Sequence, residues 1–307
     1  MGPTGVGKTA VALALGRELP IEVVSVDSRQ VYRRMDIGTG KATPADRRRL
    51  PHHLVDVVEP DDPYDAARFV REAETAIAAI QARQRWPVLV GGTGLYLRAL
   101  TRGLASRPPA HQDLRQRLRD EAAGSGESLH RRLATVDPGA AARLAPNDLV
   151  RVARALEVAL LRGRPEDPSE LRSWSTGRSR HPCVIIGLDM PRGALDTSLD
   201  ARVDRMLQSG LIDEVAELLA AGFSASLPSM HGIGYRHLTP VVAGRARLAD
   251  AVAAMKQDTR RYAKRQRTWF AHEPGIRWVG VDSGGIEEAA TRIKTMLEQT
   301  SSFEYSG

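Results

Sequence analysis

The run Gly2-Pro3-Thr4-Gly5-Val6-Gly7-Lys8-Thr9 fits G-x-x-x-x-G-K-[ST], and it constrains the fold more than any other feature of the 307-residue chain. Its glycines let backbone N–H groups converge on phosphate oxygens, and the helix that follows adds a favourable dipole. Lys8 supplies a point charge and the Thr9 hydroxyl a ligand for Mg²⁺. The segment Gly2 to Thr9 is therefore read as the cradle of a di- or triphosphate. Such a loop normally follows a buried strand, and here only Met1 precedes it. A sheet without that member would be poorly stable, so the expectation is that the natural start lies upstream.

Beyond the loop, helical and strand-like runs alternate. Thr9–Leu19 reads as helix, Ile21–Val26 as strand, His53–Val58 as strand, Tyr64–Arg83 as helix and Val88–Val90 as a short buried strand. Another helix begins at Leu95. This alternation predicts an α/β fold of the P-loop NTPase type, a parallel sheet flanked by helices. The strand signal vanishes after about residue 105. From Gln112 to Leu161 the chain reads as helices only, crowded with Arg115, Arg117, Arg119, Arg131, Arg132, Arg151 and Arg154. A strand returns at Cys183–Leu188, followed by helices near 197–221 and 248–271, a strand at Arg277–Val281 and a helix from Ile286 to Leu297. Residues 106–180 are thus read as an all-helical insertion in a core domain made of 1–105 and 181–307. The closing SSFEYSG reads as a flexible end.

A loop of this type does not by itself mean hydrolysis. An NTPase also needs an acid at a strand end for Mg²⁺. Asp27 and Asp189 qualify, but the strand Val88–Val90 runs into Gly91-Gly92-Thr93-Gly94, which weakens a motor or GTPase reading. The 44 Lys and Arg against 37 Asp and Glu leave a net charge of +7, which favours an anionic partner. The single cysteine, Cys183, excludes an internal disulfide and a Cys-based zinc cluster and suits a reducing cytosol. No apolar run is long enough to span a membrane, and no signal peptide is seen. A cytoplasmic, monomeric protein is expected.

Several separated blocks resemble the bacterial tRNA dimethylallyltransferases, also called tRNA isopentenyltransferases. They are GPTGVGKT at 2–9, SVDSRQVYRRMDIGTGK at 25–41, HHLVDVVEPDDPYDAARF at 52–69, GGTGLYLRAL at 91–100, NDLVRVARALEV at 147–158, LPSMHGIGYR at 227–236 and RRYAKRQRTWF at 260–270. They follow the family's order and cover nearly the whole chain. The resemblance implies transfer of a dimethylallyl group from dimethylallyl diphosphate to N6 of the adenosine at tRNA position 37, just 3′ of the anticodon. The tRNAs would be those reading codons that begin with U, with Mg²⁺ assisting.

By this resemblance Asp27 is the general base, because an exocyclic amine with a delocalised lone pair needs a carboxylate to take its proton. Thr4, Lys8, Thr9 and Arg205 are the groups matched to the leaving diphosphate, whose growing charge fixed cations and donors stabilise. Asp27, Ser28, Arg29 and Gln30 match the segment that touches tRNA. So do Thr93, Arg115, the run Val150, Arg151, Val152, Ala153 and Arg154, and the run His231, Gly232, Ile233, Gly234, Tyr235 and Arg236. His231 departs from the pattern, since some members carry Arg before G-I-G-Y. On α-helical spacing, Leu149, Val152, Leu156 and Ala159 are available for packing. Arg260, Lys264 and Arg267 share a helical face interleaved with Tyr262 and Trp269; the aromatics are read as mostly structural and the basic face as lying near RNA. The basic insertion is expected to grip the anticodon stem, and an everted adenosine to reach Asp27.

Three other readings fit the residues. A phosphate-loop kinase of a small metabolite would use Asp27 on a substrate hydroxyl. A transferase acting on free adenine nucleotides would need no RNA-gripping surface. A non-catalytic RNA-binding protein would merely hold phosphate in the loop.

Overall fold

Hydrophobic strand residues and amphipathic helices arrange themselves into two compact units, residues 1–100 with 182–307, and residues 101–181. The structure, a computed structural model, describes residues 1–104, 108, 111–124, 126–167, 179–281 and 285–304.

In the first unit, β1 (Ile21–Val26) is buried along its whole length. It pairs in parallel with β2 (His52–His53) on one side and β3 (Trp86–Gly91) on the other. Continuous burial is what a strand covered on both faces requires, and IEVVSV supplies it. Ile21 and Val23 face a core completed by α1 (Lys8–Leu15), with Leu199, Val279 and Ile293. Val24 and Val26 face the opposite core, built on Phe69 and Ile80 of α3 (Ala66–Ala82), Leu97 and Leu100 of α4 (Gly94–Arg102), and Phe270. A short helix, α2 (Pro44–Arg49), opens on a Thr43 capping box.

Two further parallel strands, β4 (Ile185–Asp189) and β5 (Ile276–Gly280), form a separate ladder. The Met1 amine donates to the Ile186 carbonyl at 2.6 Å, and the Leu188 N–H donates to the Met1 carbonyl at 2.8 Å. The phosphate loop therefore leaves directly from the flank of β4. A third core packs α9 (Arg192–Gln208), α10 (Leu211–Ala220), α11 (Tyr235–Val242) and α12 (Leu248–Ala271) around Val203, Val215, Met230, Tyr235 and Met255.

The expected strand His53–Val58 is shorter than its composition suggests. Leu54 and Asp56 adopt left-handed backbone at φ 59° and 58°, which ends the ladder. Only a single bridge from Tyr32 to Val58 continues it. The last helix, α13 (Gly285–Glu304), runs on through Ser301–Glu304 of the expected flexible end. Residues 305–307 lie outside the described residues.

The second unit is helical: α5 (Gln112–Gly124), α6 (Gly126–Val136), α7 (Pro138–Arg143) and α8 (Leu149–Arg162). Its core joins Leu118, Leu129, Leu133, Val152 and Leu156. Asp148 caps α8 by accepting the Arg151 N–H, and Gly163 ends it in left-handed backbone. Part of the expected insertion, 168–178, and the Arg119 side chain lie outside the described residues.

Candidate active site

Two cavities of the first unit meet at one wall. The larger, about 700 Å³, is lined by Gly5, Gly7, Lys8 and Thr9 of the phosphate loop, by the loop Asp36–Lys41, and by Arg202 and Arg205. The smaller, about 260 Å³, is lined by Ser28, Arg29, His231–Ile233, Tyr235, Arg236, Thr259, Tyr262 and Arg265. Thr4, Asp27, Thr39, Arg202 and Met206 line both.

Asp27 stands immediately after β1, at the carboxyl end of a parallel strand, where α/β folds place ligands. Its Oδ1 accepts the N–H groups of Arg29 at 2.8 Å and Gln30 at 3.3 Å. Oδ2 takes no hydrogen bond among the described residues, and Asp27 lines both cavities. Lys8 folds back on its own loop, donating to the Gly2 carbonyl at 3.0 Å and the Pro3 carbonyl at 2.7 Å. Burial pushes its pKa down to about 8, Asp27 opposing the shift and Arg202 adding to it.

Arg202 escaped the sequence reading, which chose Arg205 one turn further on. Both line the larger cavity, but only Arg202 reaches the smaller one as well, while Arg205 is exposed. The helical period held the signal: Arg202 lies one turn beyond buried Leu199 and beside buried Val203, on the inward face of α9. Burial lowers its pKa, Asp27 raises it and Arg205 lowers it. Gly40, at φ +59°, packs its bare backbone on this side chain; a Cβ there would lie 1.9 Å from a guanidinium nitrogen.

The remaining sequence candidates divide. Gly2, Pro3 and Val6 shape the loop from beneath, with Val6 in the core. Gln30 lines the larger cavity, accepting from the Ser25 hydroxyl at 3.0 Å and reaching the Thr39 and Gly40 carbonyls at 3.4 Å. Arg29 donates to the Pro228 carbonyl at 2.6 Å, which ties the segment after Asp27 to the one before His231. Thr93 lines neither cavity; its hydroxyl accepts the Ser28 N–H at 3.1 Å. Gly234 is the N-cap of α11, and Tyr235 is buried with its hydroxyl on Glu214. Arg236 pairs with Asp258 at 2.5 Å.

In the second unit Arg115 and Arg154 both converge on Glu157, which is fully buried, at 2.9 and 2.7 Å. They hold that unit together as well as facing outward. Arg151 pairs with its own helix cap, Asp148. Val152 is buried, and Ala153 is partly buried against the same core. Val150 is 82% exposed. Leu149 is exposed rather than packed.

On α12 the expected basic face is partly paired, Arg260 with Asp200 and Arg267 with Asp189 at 3.0 Å. Asp189 lines neither cavity. Trp269 and Phe270 pack in the core, but Tyr262 lines the smaller cavity beside Asp27, correcting its structural assignment. Burial raises the Tyr262 pKa, and Asp27 raises it further.

No group of three or more His, Cys, Asp or Glu among the described residues could hold a metal ion. Thr9 opens onto the larger cavity.

The chain matches the IPP transferase family over residues 30–273 and the isopentenyl transferase family over residues 1–53. The chain belongs to the IPP transferase family. A tRNA dimethylallyltransferase of Geobacter metallireducens is 49% identical over 279 residues, 91% of this chain and 90% of its own. One from a Roseiflexus species is 45% identical over 299 residues, 95% of each. Among solved structures, the full-length tRNA isopentenylpyrophosphate transferase of Bacillus halodurans superposes with a TM-score of 0.71 at 37% identity, covering 99% of this chain and 97% of its own. A eukaryotic dimethylallyltransferase acting on tRNA gives 0.76 at 28% identity, covering 92% and 73%. Both superpositions span the P-loop-type parallel core and its flanking helices. Among the described residues no helix is long and apolar enough to cross a membrane.

Proposed function

We propose that this IPP transferase family member moves a dimethylallyl group from dimethylallyl diphosphate to the N6 amine of an adenosine in tRNA. One observation carries the reading: Asp27, Thr4 and Arg202 line both cavities at once. A donor diphosphate seated on the phosphate loop and an adenine entering the smaller cavity would meet at that wall.

The bond from N6 to the allylic carbon forms as the carbon–oxygen bond breaks, and diphosphate leaves with the electron pair. Asp27 takes the amine proton, a step worth roughly 10²–10⁴-fold when the carboxylate is well placed. Thr4, Lys8 and Arg202 offset charge on the departing oxygens, and Arg205 stands at the rim. When bound, Mg²⁺ would neutralise diphosphate charge beside Thr9. His231, Arg236, Arg265 and Tyr262 would receive the extruded nucleotide, and a base in an anticodon loop is the least costly to extrude. We assign the acceptor to position 37 of tRNAs reading codons that begin with U, on the family resemblance. The exposed parts of Val150 and Arg151, with Arg115 and Arg154, are proposed to meet the anticodon stem. The protein is proposed to act as a monomer in the cytoplasm.

The test uses Mg²⁺, labelled dimethylallyl diphosphate and an anticodon stem-loop with adenines at positions 36 and 37, beside AMP as acceptor. Label should enter the stem-loop and be lost with Asp27→Ala. Label entering AMP alone would make this a free-nucleotide transferase instead.

A further inference from the structure

We propose that Gln266 is a positioning residue that fixes the phosphate loop relative to the Asp27 carboxylate, a role that rests on the transfer reaction proposed above. The two groups hang from different frames. Asp27 follows β1 of the three-stranded sheet, whereas the phosphate loop leaves Met1 on the flank of β4.

Gln266 bridges them. Its side chain, 6% exposed on α12, accepts the Thr4 N–H at 2.8 Å and donates to the Gly92 carbonyl at 2.9 Å. Gly92 follows β3. Its neighbour Thr93 donates its N–H to the Val26 carbonyl at 3.2 Å and accepts the Ser28 N–H at 3.1 Å, on either side of Asp27. One amide thus connects the loop to the turn, and the turn holds the base. The fit needs bare backbone: a Cβ on Gly92 would lie 2.1 Å from Gln266 Nε2. It also needs a side chain carrying both a donor and an acceptor, which an amide provides and a carboxylate or thioether does not. Reacting groups displaced by about 1 Å can lose on the order of 10²-fold in rate, so an amide that sets this spacing acts on the chemical step rather than on binding of the acceptor.

Three variants test it from two directions. Gln266→Glu keeps the shape but loses the donor when ionised. Gln266→Met keeps the volume and loses both bonds. Gly92→Ala pushes on the amide from the opposite side. Each is measured for affinity toward inorganic diphosphate by calorimetry, for thermal melting, and for single-turnover transfer to the anticodon stem-loop with enzyme in excess. With folded enzyme saturating the stem-loop, the single-turnover rate constant does not depend on the fraction of enzyme that is folded.

The expected result is a rate constant about 10- to 100-fold lower, stem-loop affinity within about twofold, and diphosphate binding weakened at least about threefold. A lower melting temperature with a wild-type rate constant and wild-type diphosphate affinity would reduce Gln266 to a packing residue and overturn the proposal. Should the wild-type enzyme transfer nothing to the stem-loop, the transfer reading fails by itself. The diphosphate arm then decides: weaker binding in all three variants upholds the control of the phosphate loop by Gln266, and unchanged binding overturns it.

Discussion

Tyr235 donates its hydroxyl to Glu214 at 2.6 Å, and the same carboxylate accepts the N–H groups of Asp36, Ile37 and Gly38 at 2.8, 2.7 and 3.0 Å. The loop that lines the larger cavity is therefore fastened to the segment that lines the smaller one. Burial, then Glu214, raises the Tyr235 pKa, so the phenol stays a donor throughout the physiological range. Removing that hydroxyl strips one bond from a carboxylate that keeps three. Tyr235→Phe should cost about 1–2 kcal/mol, and Glu214→Ala more, because it orphans three backbone donors and the phenol together. Thermal melting ranks the two, and an unchanged melting temperature in Tyr235→Phe would contradict the assignment.

Arg202 and Arg205 provide an internal comparison on one helix. Loss of a preorganised donor to a developing anion costs on the order of 10²–10³-fold in kcat. Arg202→Ala should show a loss of that size with a small change in KM for tRNA. Arg205→Ala, at the exposed rim, should stay within about threefold. Steady-state kinetics of both variants, side by side, decides between them; equal losses would restore Arg205 to the centre of the site.

Lys8 gives the site an alkaline limit. Its pKa is held down at about 8, so the charge is present below that value and lost above it. Binding of inorganic diphosphate should weaken as pH rises through about 8, with bound anion moving the limit upward. Lys8→Arg should remove the limb, since guanidinium keeps its proton. Calorimetric titrations between neutral and alkaline pH check this, and a limb that persists in Lys8→Arg would assign it elsewhere.

Glu22 gives the fold an acid limit. It is a buried residue of β1, paired with Arg83 at 2.7 Å and His53 at 2.7 Å. The Arg83 hydrogen bond, working against burial and helped by His53, lowers its pKa from 4.5 to about 2. A depressed carboxylate stabilises the folded state fully above the unfolded value and progressively less as pH falls towards the folded one. The loss therefore spans pH 4.5 down to about 2. Melting curves across that range should slope more steeply in the wild type than in Glu22→Gln.

How far the sequence could be read depended on which kind of signal each element left. Strand β1 was legible to the residue, because a strand buried on both faces writes an uninterrupted apolar run. Residues 54–58 carry a similar composition, but two left-handed backbone angles, invisible in side-chain pattern, stop the ladder. The short helices α2 and α11 were missed; eight residues or fewer hold too little periodicity to be seen. At the site, the phosphate loop and Asp27 announced themselves through local motifs. Arg202, Glu214 and Gln266 did not, because their meaning lies in partners far away in sequence. Glu157 shows the same limit from the other side: a buried acid in an amphipathic helix pairs with Arg115 and Arg154, a partnership that the helical pattern alone does not reveal.

The wall shared by the two cavities has a pharmacological consequence. Each chamber alone offers modest affinity to a small molecule, because diphosphate is costly to desolvate and a lone adenine makes few contacts. If the chambers hold donor and acceptor as proposed, a single compound carrying an adenosine and a diphosphate mimic on a short spacer past Asp27 would occupy both at once. Once its first half is seated, the second half faces an effective concentration in the millimolar range, so the two weak affinities compound instead of competing.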